Sequence, residues 1–572
     1  MKFNPTKRIN VLILFSVLFA GALIFRLFQV QVVRGDEFSR QADSQYSKPS
    51  SDIFSRGSIY FQEKTGNLVS AAGLRINYIV SVNPTQIKDP EKTYEAISSV
   101  ASTSKEVFMA KAGKKDDPYE EIFKTSQKSE ADEIESLGLP EVGIYKEKYR
   151  FYPAGRLASH VLGFVGRIKE EGDKYAGRYG LEKFYEDVLA RDKESVYTNF
   201  FAELFSNIKT SILSGSEKLT GDIVTNIEPT VENALAKELL AVSEKWKGRE
   251  TGGIIMDPKT GRIIALSALP DFDPGNFGAE KSFSVYRNSI VENVYEMGSI
   301  MKPLTVSAGI DARVITPETT YFDKGFVELN GKKIENYDGK GNGKVTIQTA
   351  LGKSLNTGMV FVMQTLGKEK FTGYMNSFGL GEKTGIDLPG EIAGLTRNLS
   401  SKYEVDYATA SFGQGIAVTP IAMAGALSAI ANGGVLMKPS LVSKINYRVG
   451  VSEEIKPVEI RRVIKAKTSE EVTRMLVEVF DKELLGGTVK LKNYSVAAKT
   501  GTAQLTNGKG GYYDDRFLHS FFGYFPAYNP EFLILLYTVD PQGVEYASHS
   551  LTEPFMNLTK FLISYYEIPP DR

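Results

Sequence analysis

Tyr295-Glu296-Met297-Gly298-Ser299-Ile300-Met301-Lys302-Pro303 sets a hydroxyl and an amine three residues apart. On one helical turn such side chains are neighbours, and an amine free of its proton can activate the hydroxyl as a nucleophile. The pair alone is ordinary. Ser102…Lys105 and Ser206…Lys209 repeat the spacing, and a Ser/Lys pair on a helix usually faces solvent. Ser299 differs in its company: Gly298 allows a tight entry into a helix, and the apolar residues Leu304, Val306, Ala308 and Ile310 follow. Downstream lie Ser354-Leu355-Asn356 and then Lys499-Thr500-Gly501-Thr502.

Lys-Thr-Gly occurs four times, at Lys64, Lys259, Lys383 and Lys499. The first two precede Ser299 in expected hairpin turns, where these residues are ordinary turn chemistry. Lys383 runs into a loop through Pro389-Gly390. Only Lys499 follows a strand-like run, Ser495-Val496-Ala497-Ala498, and continues as Thr502-Ala503-Gln504. Small residues there let a substrate backbone lie along an edge strand, so Lys499 is the candidate.

At 572 residues the chain is long enough for two to four domains. A 42% apolar and 24% charged composition is that of ordinary globular protein. Lys+Arg and Asp+Glu both total 69, so no net basic field argues for nucleic acid. The absence of cysteine excludes disulfides and thiolate-ligated metals, and three scattered histidines (His160, His519, His549) argue against a His-rich metal site. No cofactor is expected.

Lys2, Lys7 and Arg8 precede an apolar run, Ile9–Phe25, which Leu27–Val33 prolongs. Its length is at the short end of a membrane span. Ala20-Gly21-Ala22 imitates a signal-peptidase site, but the apolar residues continue beyond it. The expectation is an uncleaved anchor over residues 9–33, with residues 1–8 cytoplasmic and the remainder outside. Ser39–Ser51 reads as a polar stalk. Short strands are expected at Ser58–Phe61 and Asn77–Val82, a charged helix-permissive section over Pro90–Leu137, and loops over Lys193–Lys218. From Thr220 a larger unit begins: a strand at Ile223–Ile227, a helix over Pro229–Trp246, and a hairpin through Gly252–Ala265. Strands return at Ser495–Ala503, His519–Tyr524 and Phe532–Val539, before a last helix, Pro554–Tyr566. One sheet built from both ends of this unit, with helices between, is a mixed α/β layer architecture.

Together these motifs resemble the class B penicillin-binding proteins, membrane-anchored D,D-transpeptidases of peptidoglycan synthesis. The resemblance rests on Gly298-Ser299-Ile300-Met301-Lys302-Pro303, Ser354-Leu355-Asn356, Ser411-Phe412-Gly413-Gln414-Gly415, Thr419-Pro420, Ala431-Asn432-Gly433-Gly434 and Lys499-Thr500-Gly501-Thr502-Ala503. Nearer the start it includes Arg56-Gly57-Ser58-Ile59, Arg150-Phe151-Tyr152-Pro153, Leu162-Gly163-Phe164-Val165-Gly166 and Gly180-Leu181-Glu182. It implies a serine β-lactamase-like transpeptidase domain over 220–572, on a mixed α/β pedestal over 34–219.

It further implies that Ser299 attacks the bond between two terminal D-alanines of a stem peptide, with Lys302 as base. Ser354 relays a proton to the leaving group, and Asn356 holds Lys302 and the substrate amide. Lys499 supplies positive potential for the terminal carboxylate, with the Thr500 and Thr502 hydroxyls as donors and Gly501 between them. The N–H groups of Ser299 and Thr502 form the oxyanion hole. A neighbouring stem amine resolves the acyl-enzyme, and β-lactams acylate the same serine. Because the chain carries no glycan-polymerising domain that can be read, the implied partner is a membrane-embedded polymerase with other wall-synthesis proteins. The terminal Ile568-Pro569-Pro570 and the overall length lean slightly toward a division role.

The chain departs from the family pattern at Met297, where proline is usual, at Leu355, often a serine, and at Tyr286-Arg287-Asn288-Ser289. Loss of the proline is expected to loosen the turn without removing chemistry. A serine β-lactamase would need an added base for deacylation, and no motif supplies one. A D,D-carboxypeptidase would use water as acceptor. A silent scaffold or β-lactam sensor is a further alternative, although sensors usually carry several spans.

Overall fold

The computed structural model describes residues 55–168, 174–191, 219–508 and 510–572, together with Phe19. Apart from Phe19, the expected anchor over 9–33 lies outside the described residues, as do the loops over Lys193–Lys218. Among the described residues no helix is long and apolar enough to cross a membrane. The chain forms two compact units, one containing Leu74–Tyr149 and the other Arg56–Gly73 with Arg150–Arg572.

In the smaller unit the later part of the strand Leu68–Val82 pairs with Glu120–Thr125 and Val142–Phe151. The Pro90–Ser98 helix starts at an Asp89 cap that accepts from Lys92 N–H, and Pro stands in its first turn. Ser104 caps the Lys105–Ala112 helix in the same way. Their inward side chains Ile97, Phe108 and Ala112 pack with Val82, Ile87 and Ile122.

In the larger unit, helix α1 (Pro229–Trp246) has the bounds expected from its periodicity. The Glu228 carboxylate caps it by accepting from Val231 N–H, and Val231, Leu235, Leu239 and Val242 form its buried stripe. Strands β1 (Glu250–Met256) and β2 (Ile263–Leu269) form the expected hairpin. Helices α2 (Lys302–Asp311) and α3 (Asn356–Leu366) occupy the centre of the chain. Strands β3 (Ala497–Thr506), β4 (Tyr512–Phe525) and β5 (Phe532–Val539) complete a five-stranded sheet in the order β3-β4-β5-β1-β2. The sheet is therefore built from both ends of the transpeptidase-like region, as the pattern implied.

Every residue of β5 is buried, because both faces of the sheet are covered. α1 and α4 (Thr552–Tyr565) pack together on one face; the wholly buried Pro420–Ala431 helix meets β5 on the other. β3 is an edge strand of this sheet. α2 is buried along its whole length, and Thr305 ties it to the Ser411 carbonyl at 2.7 Å. The motifs nearer the chain start form a buried ionic knot: Glu182 accepts from Arg56 and Arg150 at 2.6 Å each, and from Tyr152 OH at 3.2 Å.

Candidate active site

Ser299 sits on a 3-10 turn, Gly298–Met301, that leads directly into α2 at Lys302. Gly298 has φ +61°, and its N–H donates to Gly413 O at 3.1 Å. A Cβ there would lie 2.8 Å from the Thr502 carbonyl, so only glycine brings the turn this close to β3. Gly501 completes the fit: a Cβ on it would meet Ser520 Oγ at 2.4 Å and Met297 O at 2.7 Å. The backbones around Ser299 and Thr502 thus touch.

Met297 does not leave that turn loose, contrary to expectation. Its side chain is buried, and its carbonyl accepts from Ser520 Oγ at 2.8 Å. The preceding Glu296 accepts from Tyr512 OH at 3.0 Å, tying the turn to the start of β4.

The lysine at the head of α2 is fully buried. Lys302 Nζ reaches Ser354 O at 2.5 Å and Ser354 Oγ at 3.1 Å. Lys499, on β3, reaches the same Ser354 Oγ at 3.0 Å and Thr500 O at 3.1 Å. Burial, and then the neighbouring Lys499, hold the Lys302 amine well below its ordinary value. Burial pushes Lys499 down to about 8. Two positive charges converging on one oxygen repel each other, so the charged form of the more deeply buried Lys302 is disfavoured.

Counting hydrogens makes the arrangement specific. A neutral Lys302 amine spends its two hydrogens on Ser354 O and Oγ and keeps its lone pair. A charged Lys499 donates to Ser354 Oγ and Thr500 O. Ser354 Oγ then accepts twice and keeps its own proton to give. Ser354 holds this position in the left-handed region, φ +58°, between the helix Ile347–Gly352 and α3. A non-glycine residue there costs about 1 kcal/mol.

The remaining expected residues are placed as follows. Ser299 is half-buried, and its hydroxyl has no partner among the described residues. Asn356 stands at the first position of α3, with its amide donating to Glu335 O at 2.8 Å and no bond to Lys302 among the described residues. Thr500 is half-buried. Thr502 Oγ accepts from Ala547 N–H at 3.1 Å. Ser299, Lys302, Ser354, Lys499 and Thr502 are therefore joined through bonded or touching neighbours, with Asn356 beside Ser354.

His519, given no role from the sequence, and Asp323, which no motif marks, support this centre. His519 pairs with Thr502 across β3 and β4. Its Nε2 donates to Glu545 O at 3.0 Å, and its Nδ1 accepts from Ser550 Oγ at 2.8 Å, which is the neutral tautomer. Burial pushes it down to about 4. Asp323 accepts from Thr357, Asn336 and Asn342 and fixes the loop beside α3. His160 donates to Val285 O and packs edge-on against Phe272, a structural role.

The family model for the penicillin binding protein transpeptidase domain matches residues 251–559, and that for the penicillin-binding protein dimerisation domain matches residues 54–202. Over 550 residues the chain is 30% identical to stage V sporulation protein D of Bacillus subtilis, covering 94% of this chain and 82% of that one. The chain belongs to the class B penicillin-binding proteins. It is 27% identical to peptidoglycan D,D-transpeptidase MrdA of Acinetobacter baumannii, over 90% of this chain and 81% of the relative. Penicillin-binding protein 2X of Streptococcus thermophilus shares the fold at TM-score 0.73 and 21% identity, covering 90% of this chain and 80% of that one. Penicillin-binding protein 3 of Mycobacterium tuberculosis, solved with aztreonam, is 26% identical at TM-score 0.62, covering 75% and 92%.

Within that family frame the competing Lys-Thr-Gly segments are structural. Lys64 and Lys259 lie in turns. Thr384 and Gly385 donate to the Glu391 carboxylate, which closes their loop. Only Lys499 stands beside Ser354.

Proposed function

We propose that the chain is a serine D,D-transpeptidase that crosslinks peptidoglycan stem peptides, with Ser299 as nucleophile. The observation that carries this reading is the convergence of two buried amines on Ser354 Oγ, beside an unengaged Ser299. The lone pair of Lys302 takes the Ser299 proton as Oγ attacks the carbonyl between two terminal D-alanines. Ser354 passes a proton to the departing D-alanine nitrogen and is reprotonated from Lys302, so the proton count closes within the three side chains. Lys499, with the Thr500 and Thr502 hydroxyls, receives the terminal carboxylate. The Ser299 and Thr502 N–H groups stabilise the oxyanion, a contribution worth roughly 3–4 kcal/mol per donor in comparable enzymes. An edge strand offers unpaired backbone groups, so the donor peptide lies along β3 as an added strand. Asn356 takes the peptide amide.

An amine of a second stem then attacks the acyl-enzyme. A β-lactam presents a strained amide and a carboxylate in the same relation, so it acylates Ser299 and remains. The apolar run after Lys2, Lys7 and Arg8 supports an anchor over 9–33 with the catalytic region outside the cytoplasmic membrane. On this reading 34–219 is the pedestal, 220–572 the transpeptidase, and glycan strands come from a membrane-embedded polymerase.

The test is exchange of the terminal residue of a D-Ala-D-Ala pentapeptide for a labelled D-amino acid. Labelled tetrapeptide–D-amino acid product is expected, and it disappears in Ser299→Ala. Hydrolysis without exchange would show a carboxypeptidase instead.

A further inference from the structure

Two exposed aromatic rings meet beside segments that carry the motif residues. Tyr337 and Tyr546 are 64% and 36% exposed, and their ring centroids lie 6.1 Å apart at 75°, edge to face. They come from segments far apart in the chain. Tyr337 follows Glu335, whose carbonyl holds Asn356, and Asn336, whose side-chain oxygen accepts from Thr357 N–H at 3.2 Å. Asp323 fixes that loop by accepting from Asn336 and Asn342 side chains. Tyr546 stands between Glu545, whose carbonyl accepts from His519, and Ala547, whose N–H is on Thr502. Each ring is thus flanked on its own chain by residues pinned to a motif wall: Asn356 and Thr357 on one side, Thr502 and His519 on the other.

We propose that Tyr337 and Tyr546 are specificity-determining residues, an aromatic clasp that grips the peptide portion of the acyl donor. The proposal rests on the transpeptidase reading above. An edge-to-face pair is weak enough to open for a ligand and strong enough to matter, since such contacts change an equilibrium by roughly two- to tenfold. Most of the Tyr337 ring is uncovered and available to pack on the flat amides and short aliphatic side chains of an extended peptide. The donor is the occupant favoured by position, because the rings sit next to Asn356 and Thr502, the residues that face the donor chain. A small acylating agent is expected to engage these rings less than an extended peptide does. The clasp therefore separates peptide donors from small ones.

The test compares acylation of Ser299 by a small penicillin reporter with turnover of a pentapeptide donor ending in D-Ala-D-Ala. The proteins are the full chain in membranes and its Tyr337→Ala, Tyr546→Ala and Tyr337→Phe variants. In both alanine variants kcat/KM for the peptide is expected to fall about three- to tenfold relative to the penicillin rate, mainly through KM. Tyr337→Phe, which keeps the ring, is expected to restore the ratio. Equal changes with both donors, no change with either, or a loss confined to attack by the acceptor amine would overturn the clasp. Failure of the unsubstituted protein to label with penicillin would overturn the underlying reading, and the clasp with it.

Discussion

Lys302 and Lys499 share one acceptor, Ser354 Oγ, at 3.1 and 3.0 Å. The pairing lowers the more deeply buried amine, first through burial and then through the neighbouring positive charge. Removing that charge in Lys499→Ala raises the Lys302 pKa, so more of it is protonated at neutral pH. The acid limb of the acylation rate against pH is expected to move upward, whereas Lys499→Arg leaves it in place. A pH profile of acylation measures the shift. A loss of rate with an unmoved limb would mean that Lys499 acts only on the carboxylate.

Ser354 combines a needed hydroxyl with an unfavourable backbone. Ser354→Gly and Ser354→Ala both remove the relay and are expected to slow acylation by about 10²-fold or more. Glycine also relieves the left-handed conformation, so it should be the more stable of the two by about 1 kcal/mol. Thermal unfolding of the pair reads this difference, and equal stability would contradict it.

Gly501→Ala places a methyl against Ser520 Oγ and Met297 O. The expected outcome is a folded protein whose penicillin acylation falls at least tenfold, because the nucleophile turn is pushed off β3. Circular dichroism and labelling separate the two effects. Unimpaired acylation would show that the close approach is not needed.

Glu232 is buried in α1 with one oxygen on Leu266 N–H and the other without a partner among the described residues. Burial pushes it up to about 8. Between its unfolded value near 4.5 and about 8, the folded state holds a proton that the unfolded chain has released. Stability therefore falls as pH rises through that window. Glu232→Gln is expected to flatten this slope, as measured by denaturant unfolding at pH 5 through 8; an unchanged slope would contradict the assignment.

Much of this architecture was legible because it is written in local patterns. The capped periodicity of Pro229–Trp246 and the apolar strands at both ends of the unit required no distant information. Motif order distinguished Lys499 from Lys64, Lys259 and Lys383, and the structure gives those three other settings. The strand Glu120–Thr125 was hidden inside a charged section, since a short half-buried strand has too few residues to declare a period of two. The departures at the site are tertiary. Nothing near Met297 announces that Ser520 holds its carbonyl. Nothing near Asn356 places its amide on Glu335, and the meeting of Tyr337 with Tyr546 joins residues far apart in the chain. Leu355, not Ser354, occupies the cap position of α3, which leaves the Ser354 hydroxyl to the lysines.

The central claim is that Ser299 is the residue acylated. Peptide mapping by mass spectrometry after incubation with a penicillin tests it most directly. The account predicts one adduct, on the peptide carrying Ser299, absent from Ser299→Ala and slowed in Lys302→Ala. An adduct on another residue, or one that persists in folded Ser299→Ala, would contradict it.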